Sequence, residues 1–182
     1  MPDAIANGKS PAASRCQMTE IVLPNDTNAQ GTMFGGRLLS LMDKCAAISA
    51  MRHADKVCVT VAVDSVEFHS PVNLGDVVIL EACVNRVFRT SLEVEIEVFA
   101  ENYLKQDRRQ CNRAFFTFVA VDDDGRPTPV PALCPETEEE QKRYEHAAMR
   151  RELRLFLKGR TAMDETVYIK DELIAVISGR DL

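Results

Sequence analysis

Residues 23–53 read LPNDTNAQGTMFGGRLLSLMDKCAAISAMRH, a polar loop that runs through two adjacent glycines into a nearly all-apolar segment. Leu38, Leu39, Leu41, Met42, Ala46, Ala47, Ile48, Ala50 and Met51 leave too little polar surface for a solvated helix, so the pattern predicts a buried one. Asp43 sits in its middle, with Leu39 at i−4, Ala46 at i+3 and Ala47 at i+4. A carboxylate there is costly unless something pairs with it or uses it. Helix physics leaves two readings open: a core carboxylate satisfied by an arginine or backbone groups, or a general base tuned by a partly desolvated pocket.

The preceding loop is equally double-edged. Asn25, Asp26 and Asn28 can simply be turn formers. Gly35-Gly36, however, lets a ligand approach the backbone closely, just where the first N–H groups of the helix point outward. That combination makes an anion or oxyanion site, able to polarise an ester or thioester carbonyl.

Strand patterns follow the helix. Residues 57–68 alternate through Val57, Val59, Val61 and Val63, then slip by one before Val66 and Phe68, which predicts a bulge near Ser65. Residues 77–88 form a long β-branched run, expected to be covered on both faces for part of its length. Leu92, Val94, Ile96 and Val98 alternate with Glu93, Glu95 and Glu97, predicting one buried and one solvated face. Residues 114–121 close the set, and Asp124-Gly125 reads as a turn. One long helix followed by strands on short links predicts an α+β fold, an antiparallel sheet curled around a single central helix.

At the other end of the chain, the cluster at Pro127, Pro129 and Pro131 marks an extended exit from the sheet. Residues 136–158 begin acidic and end basic, as a helix dipole favours. The final stretch has an apolar patch at Leu173, Ile174, Val176 and Ile177, read as an oligomer contact or a loosely packed tail. Three parts are expected: a disordered leader over 1–17, a domain over 18–131 and a C-terminal helical extension over 132–182.

Composition narrows the function. The 182 residues carry a net charge of −6, with 46% hydrophobic and 27% charged residues. An acidic total argues against a nucleic-acid or membrane-surface role, and no apolar run approaches the roughly 20 residues that cross a bilayer. Six cysteines without a C-x-x-C pair read as free thiols in a reducing compartment, which points to the cytoplasm. Metal-ligand spacings, G-x-S-x-G and the phosphate-binding glycine motifs do not occur. His53, His69 and Cys45 show no spacing that aligns them as a nucleophile pair. Arg86, Arg89, Lys105, Arg108, Arg109 and Arg113 are expected at one end of the sheet, either as a solvated hairpin end or as a landing site for phosphates.

Taken together, the chain resembles the hotdog-fold acyl-CoA thioesterases, in particular the cytosolic acyl-CoA hydrolases. The resemblance rests on Leu23-Pro24-Asn25-Asp26-Thr27-Asn28, Gly31, Phe34-Gly35-Gly36, Leu41-Met42-Asp43, Arg52-His53 and the segment from Val63 through Phe68. It continues through Pro71-Val72, Gly75-Asp76, Arg89-Thr90-Ser91 and the proline exit, covering about 18–131. It implies hydrolysis of fatty acyl-CoA to a free acid and CoA, without a cofactor beyond the CoA carried by substrate and product. It implies a catalytic pair at Asn28 and Asp43: Asp43 as base on water, or less readily as a nucleophile, and Asn28 orienting water or substrate. The resemblance also implies that the Gly36 N–H, with Gly35 beside it, polarises the carbonyl and that the Arg89-Thr90-Ser91 turn meets the CoA moiety. A thiol leaving group of pKa about 8.5 departs without a strong acid. The family often places histidine before the glycine pair, where this chain has Phe34.

The resemblance further implies homodimers whose sheets join, assembled as trimers of dimers, with Asn28 and Asp43 of each site coming from different subunits. Two alternatives remain. A non-catalytic acyl-CoA sensor on the same fold could dispense with the acid. A hydratase needs a histidine–aspartate pair, and neither histidine falls at the helix-loop site.

Overall fold

The apolar row along the central helix finds its partner in a single curled sheet. The computed structural model describes residues 8–64 and 66–157, and the chain divides into two units after Cys134. The first unit contains β1 (Cys16–Ile21), α1 (Gly35–Ala54), β2 (Val57–Val63), β3 (Val77–Val87), β4 (Ser91–Asn102) and β5 (Asp107–Val121). All neighbouring strands are antiparallel, in the order β1-β3-β4-β5-β2, and α1 packs against all five. This is the helix wrapped in an antiparallel sheet that the sequence predicts.

The core follows from two periods meeting. On α1, Leu38, Leu41, Met42, Cys45, Ala46, Ser49, Ala50, His53 and Ala54 recur at helical spacing and are buried. Across the sheet, Leu92 stands opposite Phe118 and Val94 opposite Phe116, all of them buried. Each large side chain so enclosed contributes about 1.5–3 kcal/mol.

The structure departs from the sequence reading in several places. The sheet begins at Cys16, inside the stretch read as a leader, and the Pro11–Ser14 turn before it seats a buried Ser14 whose Oγ accepts the Val84 N–H at 2.9 Å. β5 starts seven residues before the apolar run, because Arg108 and Arg109 there pair with Glu81 (3.1 Å) and Asp76 (2.7 Å). Glu93 and Glu95 are buried instead of solvated, and Glu95 accepts from Asn85 (2.8 Å) and Arg113. The expected basic cluster is divided, because the turns before and after β4 lie at opposite ends of a strand roughly 35 Å long.

A register slip lies between Thr60 and Ala62; the one expected near Ser65 falls on a residue outside the described ones. Before the slip, Cys58 and Thr60 stand opposite Ala120 and Phe118 on the helix-facing side of the sheet, while Val57 and Val59 face away and are exposed. Nor is α1 covered all round: Leu39 and Met51 are 36% and 38% exposed, and Asp43 is half-exposed.

The second unit holds α2 (Glu138–Leu157). Thr137 and Glu140 cap its start reciprocally, the Glu140 N–H donating to Thr137 Oγ1 (3.1 Å) and the Thr137 N–H to Glu140 Oε2 (3.2 Å). The end expected at Lys158 and the apolar patch expected over 173–177 lie outside the described residues. Among those described, no helix is long and apolar enough to cross a membrane.

Candidate active site

The polar residues of α1 and its approach loop become meaningful once their hydrogen bonds are followed. Thr60 is the one hydroxyl in the valine-rich β2, VCVTVAV, and its register turns it toward the helix. Its Oγ1 donates to Asp43 Oδ1 at 2.7 Å. Among the described residues the carboxylate is therefore neither isolated in the core nor ion-paired with a cation; a threonine holds one oxygen, and the other can accept. Sequence reasoning missed Thr60, and the detectable signal was its lone hydroxyl among apolar strand residues.

Asn28 is fixed within its own small loop. Its Oδ1 accepts the N–H groups of Gln30 (2.9 Å) and Thr32 (3.3 Å), and its Nδ2 donates to Thr32 Oγ1 (2.9 Å). Backbone bonds from Asn28 N to Thr32 O and from Gly31 N to Asn28 O close the loop, with Gly31 at φ 74°. An amide nitrogen has two hydrogens, so one remains to donate outward.

The glycine pair is asymmetric. A side chain at Gly35 would meet the Phe68 ring at 3.2 Å, whereas the corresponding position at Gly36 has nothing within 4 Å. Phe68 thus roofs the first residue of α1, and the second faces open space. Phe34 at the N-cap position makes no side-chain cap bond, so among the described residues the leading N–H groups of this helix are not taken by a cap.

Arg37, the next residue, ties the loop to the helix. Its Nε donates to Asp26 Oδ1 (2.8 Å) and its Nη2 to Glu20 Oε1 (2.5 Å). The Leu23 N–H, foremost, and then Arg37 hold the Asp26 carboxyl below the usual carboxylate range. The backbone adds a third tie, from Phe34 N to Asp26 O at 2.9 Å.

The Arg89-Thr90-Ser91 turn sits at the same end of the sheet as Thr60. Ser91 pairs with Val119, and Val119 with Val59, so Ser91 is two strands, roughly 10 Å, from the neighbour of Thr60. Arg89 itself is exposed. Within one chain, then, Asp43 meets Thr60, while Asn28 is held in the loop that leads to the Gly35-Gly36 helix start.

Other candidates separate from this region. His53 is fully buried at the far end of α1, where its Nε2 donates to Pro131 O at 3.0 Å and burial lowers its pKa. His69 is exposed beside Glu67. Burial, reinforced by the Cys16 thiol, pushes Cys45 up to about 12, which leaves it protonated and unreactive at neutral pH. Among the described residues, no group of three His, Cys, Asp or Glu could hold a metal ion.

The sequence profile of the thioesterase superfamily matches residues 30–105. An uncharacterised acyl-CoA thioester hydrolase of Bacillus subtilis is 42% identical over 137 residues, 75% of this chain and 80% of that protein. The acyl-CoA hydrolase of Staphylococcus aureus, solved with butyryl coenzyme A, coenzyme A and coenzyme A disulfide, superposes with a TM-score of 0.78 at 36% identity, covering 84% of this chain and 93% of the other. An apo-hexameric acyl-CoA thioesterase gives a TM-score of 0.80 at 43% identity, covering 86% and 99%.

Proposed function

This chain belongs to the thioesterase superfamily, as a thioester hydrolase among its hotdog-fold acyl-CoA hydrolases, and from that premise we propose that it cleaves fatty acyl-CoA with Asp43 as the base. The observation that carries this reading is the 2.7 Å bond from Thr60 to Asp43 on the helix whose second residue, Gly36, is open to a ligand.

In the proposed step, the free oxygen of the Asp43 carboxylate takes a proton from water, and the water oxygen attacks the thioester carbon. The oxyanion accepts from the Gly36 N–H, and Asn28 donates its remaining amide hydrogen to water or carbonyl. Collapse breaks the carbon–sulfur bond, and the proton held by Asp43 neutralises the departing thiolate. Arg89, Thr90 and Ser91 line the approach for CoA. The apolar, half-exposed Leu39, Met51, Phe34 and Phe68 suit a fatty chain.

One carbonyl must lie within about 3–3.5 Å of both its oxyanion donor and its attacking water. Gly36 and Asp43 of one chain are two helical turns apart, roughly 10 Å along the axis. This spacing supports a site shared between two copies, with Gly36 and Asn28 from one and Asp43 and Thr60 from the other. The exposed valines of edge strand β2 offer an apolar edge for such pairing. The hexameric relative supports a trimer of such dimers.

The test is CoA release from short-, medium- and long-chain acyl-CoAs by the wild type, Asp43→Ala and Asn28→Ala. Turnover lower by about two or more orders of magnitude in either variant, with the fold intact, is expected. A wild type that binds CoA but hydrolyses nothing in the panel would refute the reading.

A further inference from the structure

We propose that Arg37 and Asp26 are positioning residues that set the spacing between Asn28 and the Gly36 N–H, a role that rests on the proposed function of those two donors. Arg37 directly follows Gly36, and Asp26 precedes Asn28 by two residues, so their ion pair is a short link between the two donors. Two acceptors of Asp26 are engaged across this junction, Oδ1 by Arg37 Nε (2.8 Å) and the backbone oxygen by the Phe34 N–H (2.9 Å), while Oδ2 takes the Leu23 N–H (3.1 Å) within its own turn and fixes the carboxylate there. Glu20 on β1 then holds the other arm of Arg37 at 2.5 Å, which anchors the link to the sheet. The Asp26 side chain is only 12% exposed, against 34% for Arg37 and 35% for Glu20, so the pair is shielded on its carboxylate side.

Arg37 bridges two carboxylates, one bond to each, through different nitrogens of its fork. A lysine retains the charge but not the fork. Asn28 has its own loop bonds, which hold its side chain against Thr32 but do not set where that loop stands relative to α1. Loosening the link therefore shifts one donor against the other while leaving both chemically intact. Small displacements of positioned groups cost turnover more than binding.

The experiment measures kcat and KM with butyryl-CoA for the full chain carrying Arg37→Met, Arg37→Lys or Asp26→Asn, each in the wild-type and the Asn28→Ala backgrounds. In the wild-type background, Arg37→Met and Asp26→Asn are expected to lower kcat by about 10- to 100-fold with KM changed less than about threefold. Arg37→Lys should recover part of that loss. In the Asn28→Ala background the same substitutions should have no further effect, a result that a merely structural role would not produce. Asp26→Asn, which keeps the side-chain shape, provides the reading if Arg37→Met does not fold. Equal fold losses in both backgrounds, or kcat within about threefold of wild type for Arg37→Met and Asp26→Asn, would overturn the proposal. Full turnover by Asn28→Ala alone would instead remove the role of Asn28 on which the proposal rests.

Discussion

The two faces of α1 are built from similar residues and meet different fates. Leu38, Leu41, Met42, Cys45 and Ala46 are at most 3% exposed beneath the sheet, whereas Leu39 and Met51 are 36% and 38% exposed and flank a half-exposed Asp43. The covered face is completed by this chain's own strands. The other face is apolar without being enclosed, and it carries the carboxylate and the glycine that the proposed chemistry uses. A helix that reads as buried all round is thus finished on one side by folding and, if the site is shared as proposed, on the other by a second copy.

The sharpest contrast should be in stability. Leu41→Ala should cost about 2–5 kcal/mol in denaturant unfolding, since it empties a filled core site. Leu39→Ala should cost less than about 1 kcal/mol at a concentration too low for association, with any larger loss appearing only as association sets in. Equal costs at both positions would erase the distinction between the faces.

In activity the order reverses. Thr60→Val removes the hydroxyl that donates to Asp43 and should lower kcat by about 10- to 100-fold, as loss of a hydrogen bond to a charged group does. Its melting temperature should stay near that of the wild type, because Thr60 is exposed in the single chain. A variant with unchanged kcat would show that Asp43 needs no orienting partner.

Gly36→Ala separates the two properties in one substitution. Its new methyl group meets nothing within 4 Å, so the helix should gain about 0.5–1 kcal/mol while turnover falls because the approach to the N–H is narrowed. Gly35→Ala should gain less, since its methyl group meets the Phe68 ring at 3.2 Å. Thermal melts alongside butyryl-CoA turnover check both.

The smallest effect belongs to pH and to the covered face. Burial lowers the pKa of His53 in the folded chain, with Lys9 acting in the same direction and the Pro131 carbonyl and Asp55 against it. The unfolded chain therefore binds the extra proton first, and stability should decline as pH falls below about 6.5, the unfolded value. Melting temperatures at pH 7 and 5 should differ less in His53→Gln than in the wild type.

How much of this could be read from sequence depended on whether the signal was local. The central helix was legible because its apolar row is dense, and β4 because Leu92, Val94, Ile96 and Val98 alternate without interruption. β1 and the first half of β5 were not, because CQMTEI and DRRQCNR owe their place to pairing with other strands and to ion pairs such as Arg109 with Asp76. The Glu93 and Glu95 face escapes sequence reading for the same reason: alternation reports which residues differ, not what covers them. Asp43 and Gly36 stood out through their chemistry. Thr60 did not, since assigning its face required the strand register and the location of the bulge. The Arg37 link was invisible because it joins residues whose only relation is spatial.

The most direct test of the shared site is to refold Asn28→Ala and Asp43→Ala chains together in equal amounts. If each site draws Asn28 from one copy and Asp43 from another, every mixed dimer has one intact site. Random mixing should then restore about a quarter of wild-type turnover from two nearly inactive parents. A mixture that stays at the level of its parents would contradict the shared site and return both residues to a single chain.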